Sequence, residues 1–431
     1  MSKPNFKRDS KMIKYKFDFI DLFAGIGGFH QAMRFLGGNC VMAAEINQAC
    51  ADTYKLNFPK TDVRGDIRKI APDSIPPFDV LCAGFPCQSF SKAGAQKGFS
   101  DAERGDLFFR ILDILDGHPE VKYIILENVR NLADKSDHWS IIKEELLKRD
   151  FYITENPIIL SPSNFGIPQV RERVYILAIR KDIRNEETLS NGFINTCDLG
   201  LDHLRNKNRC KNGLARTVLE AEVSNDYVIS EEQEVMLNAW EEFRVETKIG
   251  TIGFPIWISC FGVDVDNCEI MKETLRYDDM PKWKQKFVDK NRQFYLANRR
   301  FIDEWIKKYD MFNRIKLYQK FEWNCGTDCK SMHEAIIQIR QSGIRVKRPN
   351  YFPSLVAIVN TPIVWDNTKR RYRHITPREA ANLQSFNKRY KFTGSDNQIY
   401  QQLGNAVNVR LVKTLGSRLF KLGVWEDKNG A

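Results

Sequence analysis

A chain of 431 residues, 42% hydrophobic and 28% charged, is long enough for a large core and for more than one domain. Its formal charge of +11 points toward a polyanionic partner such as nucleic acid or an acidic membrane surface, and by itself leaves a merely basic protein open. The basic amino terminus, MSKPNFKRDSKMIKYK, lacks the apolar core of a secretory signal, no run of about 18 apolar residues occurs, and ten cysteines are too sparse for a disulfide framework, so reduced thiols and no membrane partner are expected.

The segments 17–23 (FDFIDLF), 41–45 (VMAAE), 78–85 (FDVLCAGF), 123–129 (YIILENV) and 174–179 (VYILAI) are β-rich or continuously apolar and end in turn residues, so each reads as a strand. Amphipathic stretches between them, such as RGDLFFRILDILDG and SIIKEELLKRD, read as helices. The alternation predicts an α/β fold with a doubly wound, mostly parallel sheet, in which ligands bind beyond the carboxyl ends of the strands. From about 186 to 344 the alternation weakens, and basic and aromatic residues interleave. Over 282–323, Phe294, Phe301, Trp305, Tyr309 and Phe312 recur at roughly helical spacing. They predict an amphipathic helix with its aromatic stripe in a core and a basic face able to follow phosphates. Cys325, Cys329 and His333 lack a second Cys/His pair at zinc spacing, so no metal site is expected. Compact motifs return in RHITPREAANLQSF (373–386) and QLGNAVNVRL (402–411). The middle therefore reads as an insertion, with the final segment folding back on the first domain.

FAGIGG (Phe23–Gly28) stands between the first strand and the helix FHQAMRFLG. Glycines there let a ligand approach backbone N–H groups at a helix start. The spacing is not that of the dinucleotide fingerprint, and a plain tight turn stays open. Glu45 ends the second strand, where an acid can accept hydrogen bonds from ribose hydroxyls, and Asp66 of GDI lies near the next expected strand end. Together they point to a nucleoside-containing ligand. Cys87 follows Pro86 after the run FDVLCAGF. Position alone leaves two roles open for it, a small buried hydrophobe or a nucleophilic thiolate. Glu127 of ENV ends another strand and is expected on the same sheet edge. A thiol beside a carboxyl acid suits covalent attack on an electron-poor ring whose nitrogen is protonated as the thiolate adds. Arg171 and Arg173 of QVRER are either surface charges or forked donors to a substrate oxygen or phosphate.

DLFAGIGG, GFPCQSFS, ENV, QVRERVY, TPREAANLQSF and QLGNAV occur in this order over roughly 17–180 and 373–411. The set resembles the cytosine-C5 DNA methyltransferases of bacterial restriction–modification systems. The resemblance implies a Rossmann-like methyltransferase fold and transfer of a methyl group from S-adenosylmethionine to C5 of cytosine in double-stranded DNA, with S-adenosylhomocysteine as product. The target ring is unreachable inside a duplex and must be flipped out, at a cost of a few kcal/mol. By resemblance, Phe23, Ala24, Gly25, Gly27, Gly28, Asn405 and Val407 surround the cofactor, Glu45 holds its ribose, and Ile46, Asp66 and Ile67 lie near its adenine. Cys87 adds to C6, Pro86 shapes the Cys87 loop, Glu127 holds N3 and the exocyclic amine, and Arg171 and Arg173 orient the base, Arg173 most directly.

The same resemblance implies a catalytic and cofactor-binding domain at 1–185, a target-recognition domain at 186–344, and a hinge and return segment at 345–431. It further implies a monomer on DNA, a companion restriction endonuclease acting separately, and a cytoplasmic, nucleoid-associated location with a bacterial or phage origin. Two departures stand out. Asn387 follows Phe386 where the family usually has proline, which predicts a local loop change without loss of catalysis. Cys260-Phe261-Gly262 differs by its glycine from the Cys-Phe-Thr of a related branch that methylates transfer RNA, the alternative activity.

Overall fold

The computed structural model describes residues 16–86, 106–134, 136–183, 193–202, 214–248, 250, 253–262, 272–273, 275–355 and 361–423. The chain forms two compact units, one of residues 1–166, 171–208 and 381–431, the other of 167–170 and 209–380.

The first unit is built on a sheet of β1 (Phe17–Leu22), β2 (Gly38–Ala44), β3 (Val63–Arg64), β4 (Val80–Ala83), β5 (Tyr123–Val129), β6 (Phe151–Ile153), β7 (Ile158–Leu160) and β8 (Arg173–Arg180). The order is β3-β2-β1-β4-β5-β8-β6, with β7 also on β8. From β3 to β5 every pair is parallel. β8 runs antiparallel to β5, β6 and β7. The sheet is therefore mixed at one end, because no helix long enough for a parallel crossover separates β6, β7 and β8.

Helices α1 (Gly28–Arg34), α2 (Gln48–Asn57), α3 (Asp106–Asp116) and α4 (Ser136–Lys148) follow the parallel strands. Burial on both faces explains why the central strands read as unbroken apolar runs. Leu22, Leu81, Leu126 and Ile176 meet Phe108, Ile111 and Ile142 in one core.

The second unit holds α5 (Glu231–Glu246), β9 (Ile256–Trp257), α6 (Lys282–Ala297), α7 (Arg299–Tyr309), β10 (Lys320–Asn324), β11 (Ile336–Arg340), β12 (Gly343–Lys347), β13 (Ile363–Asp366) and β14 (Arg371–His374). Its sheet runs β14-β13-β11-β12-β10-β9. The segment 345–374, placed by the sequence in a return segment, supplies most of β12 and all of β13 and β14. That is why the unit runs to 380 rather than stopping at 344.

The expected single helix over 282–323 is two helices, broken at Asn298 and followed by β10. Trp305 is buried, and Phe294, Phe301 and Tyr309 pack against the same core. Phe312 is 49% exposed, off that stripe, because it lies past the end of α7. Trp240 stacks on Phe321 at 4.7 Å and donates to Tyr318 O, anchoring α5 to β10. Cys325 and Cys329 are buried in this core, and His333 stacks on Trp365 at 3.7 Å. Among the described residues no three potential metal ligands gather, and no helix is long and apolar enough to cross a membrane.

The remaining helices, α8 (Pro377–Leu383), α9 (Asp396–Asn405) and α10 (Val409–Leu419), carry the last motifs. Ser395 and Gln398 form a capping box on α9, and Asn408 caps α10 by accepting from Leu411 N–H. In the first unit Gly416 of α10 lies so near Met33 and Ile125 that a Cβ there would be 3.0 and 3.4 Å from their side chains. The carboxyl-terminal helix thus completes the core beside α1 and β5.

Candidate active site

β1 and β4 are neighbours whose chains leave toward opposite sides of the sheet, the switch point at which open α/β sheets bind ligands. After β1 the backbone turns sharply. Phe23 (φ 56), Gly25 (φ 53) and Gly27 (φ 80, the N-cap of α1) all take left-handed conformations. Such strain in a bulky residue like Phe23 gathers at functional sites. Glu45 at the end of β2 holds this loop, accepting Gly25 N–H on Oε2 and Asn47 N–H on Oε1, both at 2.7 Å.

These elements wall a cavity of about 420 Å³. Of the residues expected around a cofactor, Phe23, Gly25, Glu45, Ile46, Asp66, Ile67 and Asn405 line it, together with Pro86. Ile46 is 70% exposed, an apolar side chain offered to the opening. Asp66 commits its carboxylate to Arg68, whose Nε and Nη2 lie within 3.0 Å, and this ion pair holds its pKa below the usual range.

Ala24, Gly27, Gly28 and Val407 do not line the cavity. Gly27 and Gly28 shape it from behind. A Cβ on Gly28 would fall 2.7 Å from Val407 Cγ2, and one on Gly27 would fall 2.7 Å from the Phe58 ring. Sequence reasoning missed Ala44, Asn47, Cys50, Gly65, Arg68, Gly84 and Leu107 as lining residues. Most sit within a few positions of the quoted motifs, whereas Leu107 lies in RGDLFFRILDILDG, which the sequence marks as a helix and not as part of a site.

The second half of the site lies at the ends of β4 and β5. β4 leads through Gly84 and Phe85 to Pro86; Cys87 lies outside the described residues. Asn128 Nδ2 donates to Phe85 O at 2.9 Å, and Asn128 Oδ1 accepts Val129 N–H at 2.8 Å. A single buried side chain thus ties the end of β5 to the approach to Pro86. Ala83 pairs with Leu126, so Glu127 stands beside Gly84, with Oε2 4.0 Å from where a Cβ on Gly84 would be.

β8 is antiparallel to β5, which brings its first residue, Arg173, opposite Val129 and diagonal to Glu127. Arg173 Nε lies 3.1 Å from Glu127 Oε1. Burial pushes the Glu127 carboxyl above its usual pKa, while Arg173 and Arg171 pull it back. Arg171 is buried with its backbone N–H on Ser161 Oγ at 2.9 Å and Nη2 on Ala406 O at 3.1 Å. Burial and the neighbouring Arg173 push its guanidinium down to about 10. Arg171 therefore fastens the Asn405–Val407 segment, whereas Arg173 faces the acid.

The departures from the expected pattern have local causes. Asn387 N–H donates to Gln31 Oε1 at 2.8 Å, a bond that proline cannot make. Gly262 takes φ 68, and a Cβ there would lie 2.6 Å from the Phe312 ring. Cys260 beside it is buried, its thiol pushed up to about 12.

A family model described as C-5 cytosine-specific DNA methylase matches residues 17–421. The chain is 31% identical to the Type II methyltransferase M.AluI of Cellulosimicrobium cellulans, over 92% of this chain and 91% of that one. It is 32% identical to the Type II methyltransferase M.BanI of Aneurinibacillus aneurinilyticus, over 95% and 97%. In fold it is similar to the crystal structure of the S. pombe Dnmt2 methyltransferase, with a TM-score of 0.56 and 18% identity over 94% of this chain and 98% of that one.

Proposed function

The chain belongs to the C-5 cytosine-specific DNA methylase family and is a DNA (cytosine-5) methyltransferase using S-adenosylmethionine, and we propose that Cys87 carries the reaction as its nucleophile. The observation that carries this reading is the pairing of buried Glu127 with half-buried Arg173 beside the strand end that leads into Pro86.

The cavity fits the methyl donor. Gly25 leaves open space where other residues would place a Cβ, Ile46 offers apolar surface to an adenine, and Glu45 can accept from ribose hydroxyls while holding Gly25 N–H. When bound, S-adenosylmethionine would supply an electrophilic methyl group.

The protein's own groups then divide the work. The Cys87 thiolate forms a bond to C6 of a flipped cytosine as Glu127, protonated, gives its proton to N3. The electron pair of the C5–C6 bond becomes enamine-like at C5, the carbon to be methylated. Once C5 carries the methyl group taken from the sulfonium, leaving S-adenosylhomocysteine, a base removes the C5 proton, N3 returns its proton to Glu127, and the C6–S bond breaks to restore the ring and the Cys87 thiolate. Arg173 fixes the Glu127 carboxyl, and Arg171 acts through Ala406 on the segment that closes the cofactor cavity.

The second unit serves as the target-recognition domain, which accords with its irregular sequence and basic helices. A separate restriction endonuclease accords with the Type II naming of the relatives, and a monomer on duplex DNA with a cytoplasmic, nucleoid-associated location completes the reading. Purified protein should transfer labelled methyl groups to duplex DNA, and Cys87→Ser should abolish transfer. Robust labelling by the serine variant would remove Cys87 from its role, and labelling of transfer RNA alone would overturn the DNA assignment.

A further inference from the structure

The second unit carries a concentration of cations that the methyl-transfer chemistry leaves unused. In the β11–β12 hairpin Arg340 pairs with Gly343, so its tip is two exposed residues, Gln341 and Ser342. Gly343 takes φ 119, and a Cβ there would lie 2.7 Å from Lys320 O. Only glycine lets the turn end of the hairpin approach β10 this closely.

On the sheet face away from the aromatic core, Glu322 of β10 is level with Arg345 of β12. Glu322 Oε2 accepts from Arg345 Nε at 2.6 Å and from Arg340 Nη2 at 3.2 Å, and Lys320 Nζ lies 3.5 Å from Oε1. Lys347 follows on the same face of β12, two residues on. Three cations share one carboxylate, with Lys347 as a fourth beside the two arginines. Burial, and then the neighbouring arginines, hold Lys347 and Arg340 below their ordinary pKa values.

Uncompensated like charge destabilises a fold on its own and favours a polyanion against it. A two-stranded ribbon fits the major groove of B-DNA, where arginine forks bond guanine and glutamine bonds adenine. An arginine held by a carboxylate reaches such a base edge with its plane already set.

We propose that the β11–β12 hairpin is the element through which the second unit contacts duplex DNA, with Arg340 and Arg345 as the contacts and Glu322 as the positioning residue that orients them. The proposal rests on the methyltransferase reading.

The test uses the full-length protein, a duplex carrying its methylation site as mapped by bisulfite sequencing, and duplexes differing from it by one base pair. Arg340→Gln/Arg345→Gln should raise the KM for duplex DNA roughly ten- to hundredfold, with kcat and S-adenosylmethionine affinity within about twofold of the unaltered protein. The slope of log binding constant against log salt should fall by about one per arginine lost. Glu322→Gln should keep most of the salt slope yet methylate the altered duplexes relatively better. Lys148→Ala, at the exposed end of α4 in the first unit, serves as the charge control and should leave KM and the salt slope unchanged. A folded double variant with unchanged KM and salt slope, in a background where the unaltered protein methylates DNA, overturns the hairpin assignment alone. Failure of the unaltered protein to methylate any duplex overturns the methyltransferase reading and this proposal with it.

Discussion

Arg173 Nε rests 3.1 Å from Glu127 Oε1 across two antiparallel strands, so the acid and its cation are set by sheet register and not by a loop. Glu127 is held above its ordinary pKa by burial, and Arg173 opposes that rise. Removing the cation leaves the charged carboxylate less stabilised, so its pKa must climb further. Arg173→Ala should therefore shift the pH profile of kcat upward and lower kcat by about 10²-fold or more, with S-adenosylmethionine affinity nearly unchanged. Steady-state kinetics across pH with calorimetric cofactor binding checks this; a loss confined to cofactor affinity would place Arg173 elsewhere.

Arg171 should behave in the opposite way. Its buried guanidinium holds Ala406 O, next to Asn405 in the cavity wall and Val407 behind Gly28. Arg171→Met should destabilise the protein by about 3 kcal/mol, since a buried charge network loses one member, and should weaken cofactor binding more than it slows turnover. Denaturant melts and cofactor titration measure both, and an effect on kcat alone would contradict it.

Asn128→Ala removes the buried bond to Phe85 O, at a cost of about 1–3 kcal/mol. Because that bond fixes the approach to Pro86, kcat should fall while cofactor affinity holds. Equal losses in both would mean that Asn128 supports the whole sheet edge and not the Cys87 loop in particular.

The two glycines of FAGIGG should separate stability from binding. Gly25→Ala meets open space but must hold φ 53, costing roughly 1–2 kcal/mol, and its methyl group enters the cofactor cavity. Gly28→Ala collides with Val407 and forces α1 or its partner to move. Cofactor affinity should fall further for Gly25→Ala than its melting temperature suggests, while Gly28→Ala should be the more destabilised; the reverse order would contradict the packing described.

The parallel core was legible in sequence because strands buried on both faces, such as YIILENV, carry unbroken apolar runs. β6 and β7, three residues each, are too short to show a period. The direction of β8 was not legible, since VYILAI reads the same either way, and that direction is what brings Arg173 to Glu127. Glu45 could be read from its position at a strand end, whereas Ile46 came only from the family resemblance. Asn128 sat inside a quoted motif, yet its partner Phe85 lies 43 residues away in the chain. In the second unit, IIQIR and GIRVK do carry strand-forming residues, but the hairpin they form depends on Gly343 tolerating Lys320, a contact no local pattern reveals.

The central claim is a transient bond between the sulfur of Cys87 and C6 of the target ring. It is tested most directly with duplex DNA bearing 5-fluorocytosine at the methylation site, incubated with the protein and S-adenosylmethionine, because fluorine at C5 cannot depart as a proton does. The account predicts a protein–DNA species that survives denaturing electrophoresis and is absent with Cys87→Ser. Free DNA and free protein after denaturation, from an enzyme that methylates the unfluorinated duplex, would contradict it.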